Sequence, residues 1–311
     1  MLKPETVICL MGPTCSGKTD LALSLYRRLP LDIISVDSVM VYRGLDIGTA
    51  KPDARTRAAI PHYLIDICDP HENYSAGNFC VDVMKLIESS LKQGRIPLLV
   101  GGTMLYYRAL QQGLADLPDK DEEVRKKLMQ RLIHEGVENL HKELACIDED
   151  AAKRIHSHDP QRIIRALEVY FVTGKTMSYW WQQQVNRALP YQMINIGLIP
   201  DRAALPGRIA QRFEHMLKLG FLDEVEKLYQ RGDLHLQLSA IKSVGYKQAW
   251  QYLSGELTYD QMVERAIIAT RQLAKRQLTW LRRWPALHVI EVENPQCEEK
   301  ILSYLKNYKE N

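Results

Sequence analysis

Eight residues near the start of the chain have the types and spacing of a phosphate-binding loop. Residues 12–19 fit the pattern G-x-x-x-x-G-K-T, and they lie after an apolar run and before a helical pattern. Glycines let backbone N–H groups surround linked phosphates, and the helix N-terminus adds the positive end of its dipole. Lys18 would neutralise phosphate oxygens, and Thr19 would bind Mg²⁺ or phosphate. The predicted diphosphate-binding residues are Gly12, Pro13, Thr14, Cys15, Ser16, Gly17, Lys18 and Thr19.

Asp37 is the second candidate, because it ends the apolar run at residues 32–37. A carboxylate at the carboxyl end of a parallel strand points into the ligand crevice, where it could act as a general base or metal ligand. It could also simply cap a turn. A hydrolytic P-loop enzyme usually also carries a Walker-B carboxylate at the end of an apolar strand. The run at 96–102 ends in glycines instead, and Asp66 follows only a short strand pattern, so ATP hydrolysis is not favoured. Thr103 follows those glycines and could bond a ligand or start a helix.

A basic segment near residue 275 is the third candidate. No acidic residue lies between Glu264 and Glu291, whereas this segment contains Arg265, Arg271, Lys275, Arg276, Arg282 and Arg283. On a helix, Arg271 and Lys275 share one face. The cations could form a solvated helix face, but the lack of compensating acids favours contact with RNA phosphates. The runs at 159–165 and 242–248 add further cations.

Composition limits the class of protein. The chain has 311 residues, of which 46% are hydrophobic and 25% charged, as in ordinary globular proteins. No apolar run is long enough to span a membrane, and too few residues precede the first apolar run for a signal peptide, so we expect a cytoplasmic protein without membrane contact. The 6 cysteines form no C-x-x-C pair, which argues against a zinc site or disulfide framework. The net charge of +3 does not by itself indicate a nucleic-acid partner.

The elements that must position these residues follow from the hydrophobic pattern. Strand patterns at 6–11, 32–37 and 96–102 alternate with helical patterns, which predicts an α/β fold with a parallel sheet flanked by helices, as in P-loop NTPases. From about residue 115 the chain is charged and helix-periodic, and a strand pattern returns at 192–200. Helices are expected at 202–231 and 259–284. We therefore predict a core of residues 1–114 and 190–311 with C-terminal helices, and a helical insertion domain at 115–189.

Taken together, these stretches resemble the tRNA dimethylallyltransferase (tRNA isopentenyltransferase) family. The resemblance rests on GPTCSGKT, ISVDSVMVYRGLDIGTAKP, IPLLVGGTMLYYRAL, HDPQRIIRALEVY, SVGYKQ and ATRQLAKRQLTWLR, which occur in the family's order. The chain lacks the zinc-finger extension of eukaryotic members, so it is similar to the bacterial form. The resemblance implies transfer of a dimethylallyl group from its diphosphate to N6 of the adenosine 3′-adjacent to the tRNA anticodon, with Mg²⁺ assisting departure of diphosphate.

The resemblance also implies roles for individual residues. Asp37, Thr19 and Arg212 would be catalytic, with Asp37 accepting the amine proton, Arg212 near the diphosphate, and Thr19 holding the metal. The helical insertion would contact the anticodon stem-loop of tRNA, and we expect a monomer. The predicted tRNA-binding residues, including those of the basic segment, are Asp37, Ser38, Val39, Met40, Thr103, Arg125, Gln161, Arg162, Ile163, Ile164, Arg165, Lys242, Ser243, Val244, Gly245, Tyr246, Lys247, Arg271, Lys275, Arg276 and Arg282.

Two other functions stay open from the residues alone. A P-loop small-molecule kinase, with Asp37 activating a substrate hydroxyl, would explain the loop and the carboxylate but would leave the basic segment without a purpose. A non-catalytic RNA-binding ATPase is disfavoured because the sequence shows no clear Walker-B carboxylate at the end of an apolar strand. Binding of dimethylallyl diphosphate but not ATP would distinguish prenyl transfer from both.

Overall fold

The described residues of the computed structural model are 5–115, 117–183 and 189–308. They contain a six-stranded, all-parallel sheet with the order β3-β2-β4-β1-β5-β6. This arrangement confirms the predicted α/β fold. The strands are β1 (Thr6–Met11), β2 (Leu31–Val36), β3 (His62–Tyr63), β4 (Ile96–Gly101), β5 (Gln192–Ile199) and β6 (Leu287–Glu291).

The helices fall into two compact units. The core unit comprises Met1–Ala109 and Leu189–Asn311, and the helical unit comprises Leu110–Ala188. The sequence pattern placed these boundaries after residues 114 and 189. The helices are α1 (Lys18–Tyr26), α2 (Ala54–Ala59), α3 (Ala76–Lys92), α4 (Met104–Gln112), α5 (Glu122–Glu135), α6 (Val137–Ile147), α7 (Glu149–Arg154), α8 (Pro160–Thr173), α9 (Met177–Gln182), α10 (Leu205–Lys218), α11 (Phe221–Tyr229), α12 (Tyr246–Leu253), α13 (Tyr259–Arg282) and α14 (Cys297–Asn307).

The register of the sheet brings three turns to the same edge. Met11 pairs with Gly101 and with Gly197, and Val36 also pairs with Gly101. The phosphate-binding loop, Asp37 and the 101–103 turn therefore leave neighbouring strands at their carboxyl ends, where ligands bind in open parallel sheets. All six residues of β1 and of β2 are buried, which explains their unbroken apolar runs.

Several element boundaries differ from the sequence prediction. β2 ends at Val36, so Asp37 follows the strand and does not belong to it. The helix expected at 202–231 is two helices, because Gly220 adopts a left-handed conformation (φ 93°) between them. The short strand pattern before Asp66 corresponds to β3, which has only two residues, and the pattern missed β6. The second long helix, α13, was predicted correctly to within two residues at its C-terminal end.

Each unit has its own hydrophobic core. In the core unit, one cluster packs helices on the sheet, and a second packs the chain after β2 against α10–α13 through Tyr42, Phe213, Phe221 and Tyr246. The helical unit has a core of aliphatic residues, including Leu140. Its charged sequence still forms helices because aspartates accept hydrogen bonds at the N-termini of α5, α7 and α8. Among the helices described, none is long and apolar enough to cross a membrane.

Candidate active site

The phosphate-binding loop has a backbone that only certain residues permit. Gly17 and Cys15 both adopt left-handed conformations, with φ of 72° and 62°. A Cβ on Gly12 would lie 2.6 Å from Ser16 Oγ and 3.1 Å from the Leu198 carbonyl oxygen, so glycine is required there. Left-handed backbone at a residue other than glycine is costly and is concentrated at functional sites. The conformation is therefore that of a concave anion-binding loop.

Lys18 brings positive charge into this loop. Its Nζ donates to the Pro13 carbonyl oxygen at 2.5 Å and lies 3.3 Å from Ser16 Oγ. Burial, and then the neighbouring Arg212 guanidinium, lower the pKa of Lys18 to about 8, against the opposing effect of Asp37. Two cations thus share the site with one carboxylate. The surplus positive charge favours an anionic ligand, which would in turn raise the pKa of Lys18.

The loop opens into a cavity of about 770 Å³ whose described lining belongs entirely to the core unit. Lys18, Thr19 and Arg212 contribute to its polar part. Its apolar lining includes Met40, Phe213, Met216 and Phe221. A cavity of this size that combines apolar walls with convergent polar groups is typical of small-molecule sites.

Asp37 lines the same cavity and also caps its own turn. Its Oδ1 accepts hydrogen bonds from the backbone N–H groups of Val39 at 2.8 Å and Met40 at 3.2 Å. Within the described residues no group donates to Oδ2. The two roles that the sequence left open for Asp37 are therefore compatible, since one oxygen can hold the turn while the other accepts a proton.

Thr103 ties the 101–103 turn to the Asp37 turn. Its hydroxyl accepts from the Ser38 N–H at 3.1 Å, and its own N–H donates to the Val36 carbonyl oxygen at 3.2 Å. A Cβ on Gly101 would lie 2.0 Å from that same oxygen. Thr103 does start a helix, as the simpler interpretation expected, and it also fixes the turn beside Asp37. Contact between Thr103 and tRNA stays a prediction.

Gln277 belongs to this site, although sequence reasoning missed it. From α13, its Oε1 accepts from the Thr14 N–H at 2.9 Å, and its Nε2 donates to the Gly102 carbonyl oxygen at 2.9 Å. Sequence analysis had noted the basic residues of this helix but assigned no role to this amide. The signal available was a polar side chain at a position spaced like the buried Ala274, Leu278 and Leu281.

Glu224 is a second residue that the sequence did not reveal. Its carboxylate accepts from the backbone N–H groups of Asp46, Ile47 and Gly48 at 3.0, 2.7 and 3.2 Å, and from the Tyr246 hydroxyl at 2.5 Å. A Cβ on Gly48 would lie 2.4 Å from the Phe221 ring. Glu224 therefore fixes the segment after β2 that forms one wall of the cavity.

The predicted tRNA-binding segment at 242–247 is divided between surface and interior. Lys242 and Lys247 are exposed, whereas Tyr246 is only 1% exposed and its hydroxyl is engaged by Glu224. The Tyr246 side chain therefore presents no exposed surface, and its contact with tRNA stays a prediction. The tyrosine lines the cavity instead, together with Ser243, Val244 and Gly245.

The basic residues of α13 are exposed, as the sequence suggested. Within the described part of the chain none of them forms an ion pair, and Arg108 adds a further cation 5.8 Å from the Trp280 ring. Unpaired cations on a helix surface fit either a solvated face or contact with RNA phosphates. The exposed predicted residues are Arg271, Lys275, Arg276 and Arg282.

In the helical unit, two predicted tRNA-binding arginines surround a buried carboxylate. Glu168 is 0% exposed and accepts from the Asp121 N–H at 3.0 Å. Arg125 lies 3.4 Å and Arg165 3.1 Å from its Oε2. Arg165 also donates to the Pro118 carbonyl oxygen at 2.5 Å. Two cations balanced by one anion leave a net positive charge, and both guanidiniums keep some exposure.

The remaining predicted residues of this segment lie on both sides of α8. Gln161 and Arg162 are exposed. Ile163 and Ile164 are buried in the core of the helical unit. A direct contact of these two isoleucine side chains with tRNA is therefore excluded in this conformation, and their role is to hold α8 in place.

Asp66, the other carboxylate weighed from the sequence, is part of an ion-pair network. It bonds Arg57 and accepts from Lys51 Nζ at 2.6 Å. The Lys51 side chain is 1% exposed and also donates to the Tyr42 carbonyl oxygen at 2.6 Å. Both Asp66 oxygens are thus engaged by cations, which supports the view that Asp66 does not act in ATP hydrolysis.

Two family models and tRNA dimethylallyltransferases of other organisms match this chain. A family model described as IPP transferase matches residues 40–284, and another, described as isopentenyl transferase, matches residues 5–66. A tRNA dimethylallyltransferase of Coxiella burnetii is 52% identical over 307 residues, which cover 98% of this chain and 99% of the relative. One from Thioalkalivibrio sulfidiphilus is 55% identical over 287 residues, 92% and 90% of the two chains.

Solved structures give the same result. The full-length tRNA isopentenylpyrophosphate transferase of Bacillus halodurans aligns with a TM-score of 0.71 and 36% identity, over 98% of this chain and 95% of that one. A eukaryotic dimethylallyltransferase acting on tRNA aligns with a TM-score of 0.83 and 25% identity, over 98% of this chain and 79% of that one. The chain therefore belongs to the IPP transferase family, whose members include the tRNA dimethylallyltransferases.

Proposed function

We propose that this chain transfers the dimethylallyl group of dimethylallyl diphosphate to N6 of the adenosine 3′-adjacent to a tRNA anticodon. The observation that carries the proposal is one cavity that combines a cationic phosphate-binding loop, an apolar wall and a carboxylate with one unengaged oxygen. A diphosphate fits the loop, a branched five-carbon chain fits the apolar lining, and the carboxylate serves the incoming amine.

The leaving group is stabilised by the loop and its two cations. As the C1–O bond of the donor breaks, its electron pair departs with the diphosphate, and N6 forms the new bond to C1. Lys18, Arg212 and the N–H groups of the helix N-terminus supply fixed positive charge where this negative charge develops. Such preorganised stabilisation is usually the largest contribution to catalysis.

Asp37 is the general base of the proposed reaction. An exocyclic adenine amine is a poor nucleophile and must lose a proton as it attacks. With Oδ1 held by two backbone N–H groups, the carboxylate has a fixed orientation, and Oδ2 can take that proton. The base must leave the anticodon stack to reach Asp37, so we expect it to be extruded.

The site also fits Mg²⁺. Magnesium prefers oxygen ligands and is usually bound through one or two protein groups together with substrate phosphates. The hydroxyl of Thr19 is an oxygen donor on the lining of the cavity that holds Lys18, and it would bind the ion together with the donor's phosphates. When bound, the ion would supply additional positive charge for the diphosphate.

We place the anticodon stem-loop on the exposed cations of α13, and we expect the helical unit to contribute Arg125, Gln161, Arg162 and Arg165. The absence of ion pairs around the α13 cations in the described residues supports phosphate contact, because a solvated face usually carries compensating acids. We expect a monomer to be active.

Incubation of the purified protein with dimethylallyl diphosphate, Mg²⁺ and unmodified tRNA tests the proposal. Nucleoside mass analysis should show adenosine that has gained C5H8, and an anticodon stem-loop with guanosine at the target position should gain nothing. A small-molecule kinase, the alternative, would instead consume ATP and leave the tRNA unchanged. Absence of the C5H8 gain with intact tRNA and donor would refute the proposed transfer.

A further inference from the structure

Gln277 joins two catalytic segments that are distant in sequence. Its amide group accepts from the N–H of Thr14, inside the phosphate-binding loop, and donates to the carbonyl oxygen of Gly102, each at 2.9 Å. Both polar ends of the side chain are therefore satisfied by backbone groups. An amide is suited to this position because it offers one acceptor and one donor together.

A second link continues from that turn to Asp37. Thr103 follows Gly102 and accepts the N–H of Ser38, the residue next to Asp37, at 3.1 Å. Gly102 has no space for a side chain, since a Cβ there would lie 2.4 Å from Gln277 Nε2 and 3.0 Å from the Gly12 carbonyl oxygen. The phosphate-binding loop is thus connected to the general base through two hydrogen-bonded links in series.

We propose that Gln277 is a positioning residue that fixes the phosphate-binding loop relative to Asp37. The inference rests on the proposed function, in which C1 of the donor must lie between the departing diphosphate and the amine held at Asp37. A displacement near 1 Å can slow such a reaction about 100-fold, because the reacting atoms must be aligned at about 3 to 3.5 Å. Gln277 lies on the cavity lining, with its amide engaged by Thr14 and Gly102, and its proposed effect on the reaction is exerted through the loop.

Gln277→Met keeps the length of the side chain and removes both hydrogen bonds. We expect the single-turnover rate at saturating donor and tRNA to fall about 10- to 100-fold, with both dissociation constants changed by less than about threefold. Gln230→Met, exposed at the C-terminal end of α11 and outside the proposed tRNA surface, is the matched control and should react at the wild-type rate. A wild-type rate for Gln277→Met, or a loss confined to donor affinity, would overturn the inference.

Thr103→Val tests whether the two links act in series. If they do, the double variant with Gln277→Met should react no more than about threefold slower than the slower single variant, because breaking either link already releases the loop from Asp37. If the rate of the double variant falls by the product of the two single reductions, the links act independently, contrary to the inference. The wild-type reaction serves as the reference, so that failure of the wild type to transfer would refute the function and not this inference.

Gln277→Glu gives a test that does not depend on the folding of the methionine variant. An ionised carboxylate can accept from Thr14 but cannot donate to the Gly102 carbonyl oxygen, whereas the protonated acid can do both. The ratio of the Gln277→Glu rate to the wild-type rate should therefore rise as the pH falls from about 7 toward 4.5, through the range in which a glutamic acid is protonated. A ratio independent of pH would show that donation to Gly102 has no role in positioning.

Discussion

Replacing Asp37 with asparagine separates its proposed chemical role from its structural one. The carboxylate Oδ1 holds the turn by accepting from Val39 and Met40, at 2.8 and 3.2 Å, while Oδ2 is the proposed proton acceptor. The amide oxygen of asparagine can accept the same two hydrogen bonds. Asparagine has no oxygen with which to take the proton, so Asp37→Asn should remove the chemistry and keep the turn.

The two roles differ in the size of the expected effect. General-base catalysis contributes about 10²- to 10⁴-fold, so the chemical step should slow by that factor. The free energy of unfolding should fall by less than about 1 kcal/mol, because aspartate and asparagine cap backbone N–H groups about equally well. Asp37→Ala should lose both roles, with a further loss of stability of about 1 kcal/mol.

Single-turnover kinetics with saturating donor and tRNA measure the chemical step, and urea unfolding measures the stability. Donor affinity should change little in Asp37→Asn, because the carboxylate faces the amine and repels the diphosphate if anything. A chemical step within about threefold of wild type, in a folded Asp37→Asn variant, would remove Asp37 from the mechanism.

Three further predictions concern charge. Donor affinity should fall above pH 8, because burial lowers the pKa of Lys18 to about 8 and only the protonated amine attracts diphosphate. Calorimetry of the wild type that shows equal affinity on both sides of pH 8 would contradict this. Glu168→Gln should destabilise the helical unit by about 3 kcal/mol, since two arginines lose a buried partner, and an unchanged unfolding midpoint would argue against that pairing. Alanine at three exposed cations of α13 should weaken tRNA binding. It should also flatten the slope of log K against log salt by roughly 0.7 to 0.9 per lost phosphate contact. An unchanged slope would show that the helix has a structural role only. Those cations are Arg271, Lys275 and Arg282.

The parts of the fold that the sequence predicted are those that local patterns determine. The phosphate-binding loop combines required glycines with a following helix, and the buried strands read as unbroken apolar runs. The change to charged, helix-periodic sequence near residue 115 likewise marked the helical unit, which begins at Leu110. The bounds of β3 could not be predicted because two residues are too short for any periodicity, and Gly220 alone did not reveal the break between α10 and α11.

Only those residues of the candidate site that lie in a recognisable sequence motif could be predicted. Lys18 and Asp37 stand in recognisable contexts, and the structure places both on the lining of one cavity. Gln277 and Glu224 escaped prediction because their partners are backbone N–H and carbonyl groups far away in sequence, which no spacing rule identifies. Burial of Tyr246 was equally hidden, because its segment has the composition of an exposed turn.

The most direct test of the central claim counts the products of a single reaction mixture. Purified protein is incubated with dimethylallyl diphosphate, Mg²⁺ and unmodified tRNA, with and without ATP, and released diphosphate and prenylated adenosine are measured together. If the loop holds the leaving group of a prenyl transfer, one diphosphate should appear for each C5H8 gained, with or without ATP and with ATP left intact. Transfer that requires ATP hydrolysis, or diphosphate released without gain by the tRNA, would contradict the account.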